Sequence, residues 1–461
     1  MWLAYAAGYL EKHGHELLFI DAPAAGLSFE EVAARIAAFS PGLLIVDTST
    51  PSIYSDVAAA CDIKKRVPGL FTALVGAHVS ALPLETLALN PGLDAVAFGE
   101  YEATLAALAE RLSEAPVARD CSGVAGIAWR TSRGETKRNE PRPYITDLDS
   151  LPMVSSVYKK HLSVEPYFYG HSRHPLIVIM TGRGCPFRCT YCVVPQVLQG
   201  HRYRRRSVKS VVEEFIYIKE NFPQVREIMI EDDTLTADAQ RCRELSAALV
   251  EARATGIPWS ANSRADVDYE TMAAMHRAGC RLFCVGFESG DQEILDNIQK
   301  GTTLEKIRRF MKDAKRAGIL IHGCFMVGNR GETRDTLETT LRFAKELSPD
   351  TAQFFPIMVY PGTNDYGYFK EKGWIVTEDF RQWLTDDGMH SSVVSNPSLP
   401  YDTLVDFCDR ARREFYLRPS YVAAKAMQAL SNPGEAKRLL MGGRTLFGHL
   451  LRPSLKRTTA A

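Results

Sequence analysis

Apolar residues fall at helical spacing in WLAYAAGYLEKHGH, and the chain then changes to the short apolar run ELLFIDAP, which reads as a strand. The alternation continues. SFEEVAARIAAF, YSDVAAACDIKKRV and ATLAALAERL have helical periodicity, while GLLIVDTST, FTALVGAH and DAVAFGE read as strands. Strands and helices alternating at this pitch predict an α/β fold with a doubly wound parallel sheet over residues 1–112. The rhythm lapses over 113–175. There GIAWRTSRGETKRNEPRPYI predicts a hairpin turning at Arg133-Gly134, and DLDSLPM and the aromatic VEPYFYGHSRHP form a linker. Tyr167, Phe168 and Tyr169 of that linker pack on the next domain or line a cleft beside it. From 176 to 370 the βα rhythm returns and runs through six strands, which predicts a partial (β/α)6 barrel with its chemistry at the carboxyl ends of the strands. Residues 371–461 read as mainly helical.

Composition narrows the classes. Lys+Arg 55 balance Asp+Glu 55, which speaks against a bulk polyanion, so no nucleic-acid partner is expected. The 10 cysteines form no dense secreted framework, and no apolar run reaches the roughly 20 residues needed to cross a bilayer. A reducing, cytoplasmic setting is the expectation.

The informative chemistry lies in TGRGCPFRCTYC. It places Cys185, Cys189 and Cys192 in a CxxxCxxC array directly after the apolar run PLIVIM. Three thiolates on one loop hold three irons of a 4Fe-4S cluster and leave the fourth open to a ligand. A zinc knuckle or a cluster of buried thiols is the alternative, but no second Cys/His pair follows at knuckle spacing. With Tyr191 just before the last cysteine, the array resembles the radical S-adenosylmethionine (SAM) superfamily. The resemblance implies a 4Fe-4S cluster whose open iron is chelated by the amino and carboxylate groups of SAM.

Further strand ends complete that resemblance. Glu231-Asp232-Asp233-Thr234 closes the second barrel strand, and Asp232 or Asp233 is expected to receive the SAM amino group, a role served elsewhere in the family by Gly-Gly-Glu. The other reading makes these acids helix caps. Asn262 and Arg264 end the third strand with groups able to bond a ribose or carboxylate, and GFESG, with Glu288 on the cofactor side, resembles the family's G-x-E-S-G strand. Lys300-Gly301-Thr302, GNRGET and YPGT also match, although the family more often has proline where Arg330 stands.

The first domain resembles the Rossmann-like cobalamin-binding domain that precedes the barrel in one branch of the superfamily. The resemblance implies cobalamin at Thr48, Ser49, Thr50, Gly76, His78, Gly99 and Glu100, where small and hydroxyl residues end the strands. A flavodoxin-like module without cofactor is the alternative. That family domain opens with a strand ahead of its first helix, so either the true start lies upstream or the sheet lacks an element. No DxHxxG signature follows the second strand, where Asp21-Ala22-Pro23 stands, and no cobalt-ligating histidine is predicted.

Together these features lead to a cobalamin-dependent radical SAM enzyme. Such an enzyme cleaves SAM to a 5'-deoxyadenosyl radical and functionalises an unactivated carbon, with C-methylation as the leading outcome. The group includes anaerobic magnesium-protoporphyrin IX monomethyl ester cyclase-like and hopanoid-associated proteins, so a cyclase or oxidoreductase acting on a tetrapyrrole or lipid-like substrate is one alternative. A non-catalytic cobalamin or iron–sulfur sensor is another. A methylthiotransferase is set aside because it needs three more upstream cluster cysteines, and the N-terminal third offers only Cys61 and Cys121. The expected partners are a small or lipid-like substrate and a reducing donor such as flavodoxin or ferredoxin. HRYRRR (201–206) is a solvated basic face or an anion contact. The tail from Pro433 carries Lys437, Arg438, Arg444, Arg452, Lys456 and Arg457 among leucines, a pattern that suits an anionic membrane surface or a docked basic segment.

Overall fold

The computed structural model describes residues 1–114, 119–385, 388–389, 391–431 and 433–451. Its first sheet has five strands in chain order: β1 (Leu43–Thr48), β2 (Phe71–Gly76), β3 (Ala95–Ala97), β4 (Ile127–Arg130) and β5 (Thr136–Arg138). β1 to β3 are parallel, as the alternation predicts. The hairpin β4–β5 joins them antiparallel, with Ala95 opposite Trp129 and Ala97 opposite Ile127. The hairpin predicted within 113–175 is therefore part of this sheet, because Ile127, Ala128 and Trp129 are apolar and complete its core.

ELLFIDAP is not a strand. Asp21 accepts the Ala24 N–H and Pro23 pre-sets the first turn of a short helix, Ala22–Ala25, so local capping wins over pairing. Ser28 and Glu31 close a capping box that starts the next helix, Phe29–Phe39.

Helix α1 (Trp2–Lys12) joins the two halves of the molecule. Ala6 and Leu10 lie in the core of the first sheet, while Ala4, Tyr5 and Ala7 belong to the larger core beyond it. The Tyr5 hydroxyl bridges to Met180, receiving its N–H at 3.1 Å.

The second sheet starts with β6 (Leu176–Ile179). A small hairpin of β7 (Gly182–Arg183) and β8 (Arg204–Arg205) follows and frames the cysteine loop. The sheet continues through β9 (Glu227–Ile230), β10 (Trp259–Ser263), β11 (Cys280–Glu288), β12 (Leu320–Val327) and β13 (Thr351–Pro356). All six strands are parallel, in the order β13-β12-β11-β10-β9-β6. Period-2 alternation is visible in β12, where Ile321, Gly323 and Phe325 are buried under the helices and Leu320, His322 and Cys324 face a half-buried lumen. Phe283, Val285 and Phe287 of β11 are fully buried on the helix side, with Cys284 and Gly286 between them on the lumen side.

Helix Tyr401–Tyr416 covers β13, and the Tyr416 hydroxyl bonds both backbone groups of Ala352. In the last helix, Pro433–Leu451, Arg438 is buried against Glu435, which also pairs with Arg173 and Arg281. Arg438 is thus part of a buried charge cluster and not of a basic outer face. Lys437 and Leu440 are exposed, and the side chains of Arg444, Arg452, Lys456 and Arg457 lie outside the described set. No helix among the described residues is long and apolar enough to cross a membrane.

Candidate active site

β6 ends at Ile179, and the chain turns through Met180 and Thr181 into the cysteine loop. Gly184, at φ +85°, makes the turn; a Cβ there would meet the Arg202 carbonyl at 2.3 Å. The Cys185 N–H donates to the Gly200 carbonyl, and Gln196 donates one amide to the carbonyls of Cys189, Thr190 and Cys192 at 2.9–3.1 Å. These bonds fix the loop from within. Burial pushes the Cys185 thiol up to about 11 and the Cys192 thiol up to about 12. Metal loading at these thiols therefore releases protons.

The two acids expected to hold SAM instead hold the loop. Asp232 is fully buried and accepts from the Thr181 N–H at 2.5 Å, the Thr181 hydroxyl at 2.6 Å and the Tyr203 hydroxyl at 2.8 Å. Asp233 accepts the Gly184 N–H at 2.7 Å. The residue that faces the lumen is Glu231. One of its oxygens takes the Asn262 amide at 3.2 Å, and Oε2 is buried with no partner among the described residues. Burial raises its pKa. Both acids lie just past the end of β9, where continued alternation would put Glu231 on the side of Met229 and Asp232 on that of Ile230.

Arg264 reaches the loop from the end of β10. Its Nη1 lies 3.8 Å from Cys189 Sγ, its guanidinium stacks 3.6 Å from the Phe187 ring centroid, and it also bonds Asp266 and the Lys300 carbonyl. Glu288, at φ +64° beside a register shift in β11, accepts from Tyr191 at 2.9 Å and from Lys300 at 2.7 Å. Lys300 also donates to the Tyr191 hydroxyl at 3.1 Å. Burial works against the Lys300 charge, but Glu288 outweighs it and holds the ammonium above its ordinary range. In the sequence Lys300 stands out only as part of the Lys-Gly-Thr motif; its pairing with Glu288 across 12 residues has no periodic signature. Arg330, in the place of a more common proline, pairs with buried Asp365, whose other oxygen takes the Thr190 hydroxyl.

At the carboxyl ends of the first sheet, Gly76 has φ +120° and would drive a Cβ to 2.2 Å from the Thr48 carbonyl. Gly99, at φ +74°, has open space where a Cβ would sit. Ser49 is exposed beside them, bonded to Ser52. Thr48 donates to the Val75 carbonyl, and His78 is turned inward, 3.4 Å from Thr50 and edge-on to Phe380. Thr48, Thr50 and His78 therefore brace the strand ends from below. Glu100, also assigned to cobalamin, is buried and bonded to Arg204 and to the Ile145 N–H. The basic run resolves by alternation: Arg204 and Arg206 are buried on Glu100 and Glu214, and Arg205 is exposed on Asp238.

The residues fit the groups that the fold implies. Three thiols of one braced loop suit a cluster with an open corner, a carboxylate with a free oxygen suits an ammonium, and the open space at Gly99 suits a large flat ligand.

Comparison with known proteins agrees. The Radical SAM superfamily profile matches residues 179–344 and the B12 binding domain profile matches residues 1–109. The chain is 32% identical over 419 residues to an uncharacterized methyltransferase of Pyrococcus horikoshii, covering 90% of this chain and 87% of that protein. It is 26% identical over 446 residues to the anaerobic magnesium-protoporphyrin IX monomethyl ester cyclase of Rubrivivax gelatinosus, covering 96% and 77%. In fold it is similar to the radical S-adenosylmethionine methyltransferase TsrM of Kitasatospora setae with cobalamin and a [4Fe-4S] cluster bound. The TM-score is 0.70 at 19% identity, covering 89% of this chain and 87% of that one. The chain belongs to the B12-binding radical SAM superfamily, and is a radical SAM enzyme whose cofactors are a 4Fe-4S cluster, S-adenosylmethionine and cobalamin.

Proposed function

We propose that this protein is a C-methyltransferase that acts on an unactivated carbon of a small or lipid-like molecule. The observation that carries this reading is the 32% identity, over 90% of the chain, to a protein named as a methyltransferase. When bound, the cluster, SAM and cobalamin supply the radical and methyl-transfer chemistry. The chain's own residues bind and orient. Cys185, Cys189 and Cys192 hold the cluster, and Arg264 and Gln196 fix the loop that carries them. We assign Glu231 Oε2 to the SAM ammonium, with Asn262 holding the other oxygen. Glu288, neutralised by Lys300, offers Tyr191 and its own carboxylate to the ribose side. The half-buried lumen faces of β11 and β12 receive the substrate. Gly76, Gly99 and Ser49 form the cobalamin cradle, and a flavodoxin or ferredoxin delivers the electron.

A second reading, an oxidative cyclase acting on a tetrapyrrole, is supported by the similarity along 96% of the chain to a cyclase. One experiment separates the two. The anaerobically reconstituted protein is incubated with cobalamin, SAM, dithionite and candidate substrate pools. Methyl transfer restocked from SAM yields S-adenosylhomocysteine together with 5'-deoxyadenosine. A cyclase yields 5'-deoxyadenosine without S-adenosylhomocysteine, and a sensor yields neither.

A further inference from the structure

On the lumen faces of β11 and β12, three metal-binding side chains converge to which the chemistry above gives no individual role. Cys284 of β11 stands opposite His322 of β12 in register, and Cys324 lies two residues further along β12. One donor atom from each of the three lies within 4.8 Å of the others. The two sulfurs are 3.9 Å apart. Zinc bound to thiolates at about 2.3 Å in a tetrahedron separates its sulfurs by about 3.8 Å, so the pair is already spaced to bracket a metal ion.

The imidazole is set for the same task. His322 Nδ1 is 2.7 Å from the hydroxyl of Thr351, its register partner on β13. In the tautomer that donates Nδ1–H to Thr351, the lone pair rests on Nε2, as in metal sites whose histidines are oriented by an outer hydrogen bond. A second observation points to a ligand at this place. The ring of His171 stacks on His322 with centroids 4.6 Å apart, and His171 Nε2 is buried with no partner among the described residues. A buried nitrogen left without a partner is costly unless something outside the protein satisfies it.

We propose that Cys284, Cys324 and His322 form a second metal site, separate from the cluster, that takes a soft divalent cation of the zinc class. Two thiolates and one imidazole leave a fourth tetrahedral position, the arrangement of zinc sites that bind water or a substrate heteroatom. The cation takes the place of the two thiol protons, which leave to solvent on binding. The proposal does not depend on which carbon the enzyme modifies.

The test uses the full-length, cluster-loaded protein, titrated anaerobically with Zn(II), desalted and analysed for zinc, with zinc K-edge absorption to read the ligand shell. About one zinc per chain is expected, in a shell of two sulfurs and a lighter donor. It should persist in Cys189→Ala and be lost at least tenfold in affinity in Cys284→Ser/Cys324→Ser. Where the double variant does not fold, His322→Gln should weaken zinc retention about tenfold or more, as loss of one ligand does. Zinc that vanishes with Cys189→Ala, a shell without sulfur, or a Cys284–Cys324 disulfide with no metal uptake would each overturn the proposal.

Discussion

Arg204 places both terminal nitrogens on Glu100, Nη1 at 2.9 Å and Nη2 at 2.5 Å, and so ties the end of β3 to the hairpin that frames the cysteine loop. Both side chains are nearly solvent-free, at 6% and 4% exposure. The cobalamin-side sheet and the cluster loop are thus coupled by a buried ion pair, next to Arg183, which sits between Glu102 and the rings of Trp2 and Tyr5.

Glu100→Ala leaves the Arg204 guanidinium buried without its partner, and it should cost about 3–5 kcal/mol of stability in urea denaturation. A loss below about 1 kcal/mol would place this pair among ordinary surface bridges.

Much of this architecture is legible in the sequence. The six barrel strands, the first-sheet strands from GLLIVDTST onward and the cysteine loop follow from periodicity and spacing, because apolar runs and turn residues are local signals. Partner choice is not local. Glu100 at a strand end looks like a ligand, and HRYRRR looks like a solvated face, until the fold brings them together. Asp232 and Glu231 are adjacent acids just past β9 with opposite fates, one bonded to Thr181 and the other with an oxygen left without a partner among the described residues. ELLFIDAP is apolar enough for a strand, but Asp21 and Pro23 direct it into a cap.

Glu288 is shared by Tyr191 and Lys300, and a charged hydrogen bond of this kind contributes about 1.5–3 kcal/mol. Lys300→Met should therefore weaken SAM binding about tenfold to a hundredfold, read by anaerobic calorimetry on the reconstituted protein. Unchanged affinity would remove this group from the cofactor pocket.

Gly99 has φ +74° and open space beyond it, so a side chain added there projects outward at the strand ends and not into the core. Gly99→Leu should cost about 1–2 kcal/mol of backbone strain and should prevent cobalamin retention while iron content stays unchanged. The measurement is optical spectroscopy with iron analysis after anaerobic reconstitution. Full cobalamin occupancy in the variant would place the corrin elsewhere.

Glu332 is pushed up to about 8 by burial, against the opposing backbone N–H groups of Asn329 and Gly328. An acid whose folded pKa lies above its unfolded value of 4.5 gives stability that is fully present below 4.5 and is lost as pH rises through about 8. Thermal unfolding should therefore become easier across that window, and Glu332→Gln should flatten the slope. An unchanged slope in the variant would assign the pH dependence to another group.

The central claim is that Cys185, Cys189 and Cys192 hold a cluster with one iron left for SAM. Its most direct test is electron paramagnetic resonance of the dithionite-reduced, reconstituted protein with and without added SAM. SAM should shift the g-values of the cluster signal, and the signal should be absent in Cys189→Ala. A reduced cluster whose spectrum is the same with and without SAM would contradict the account.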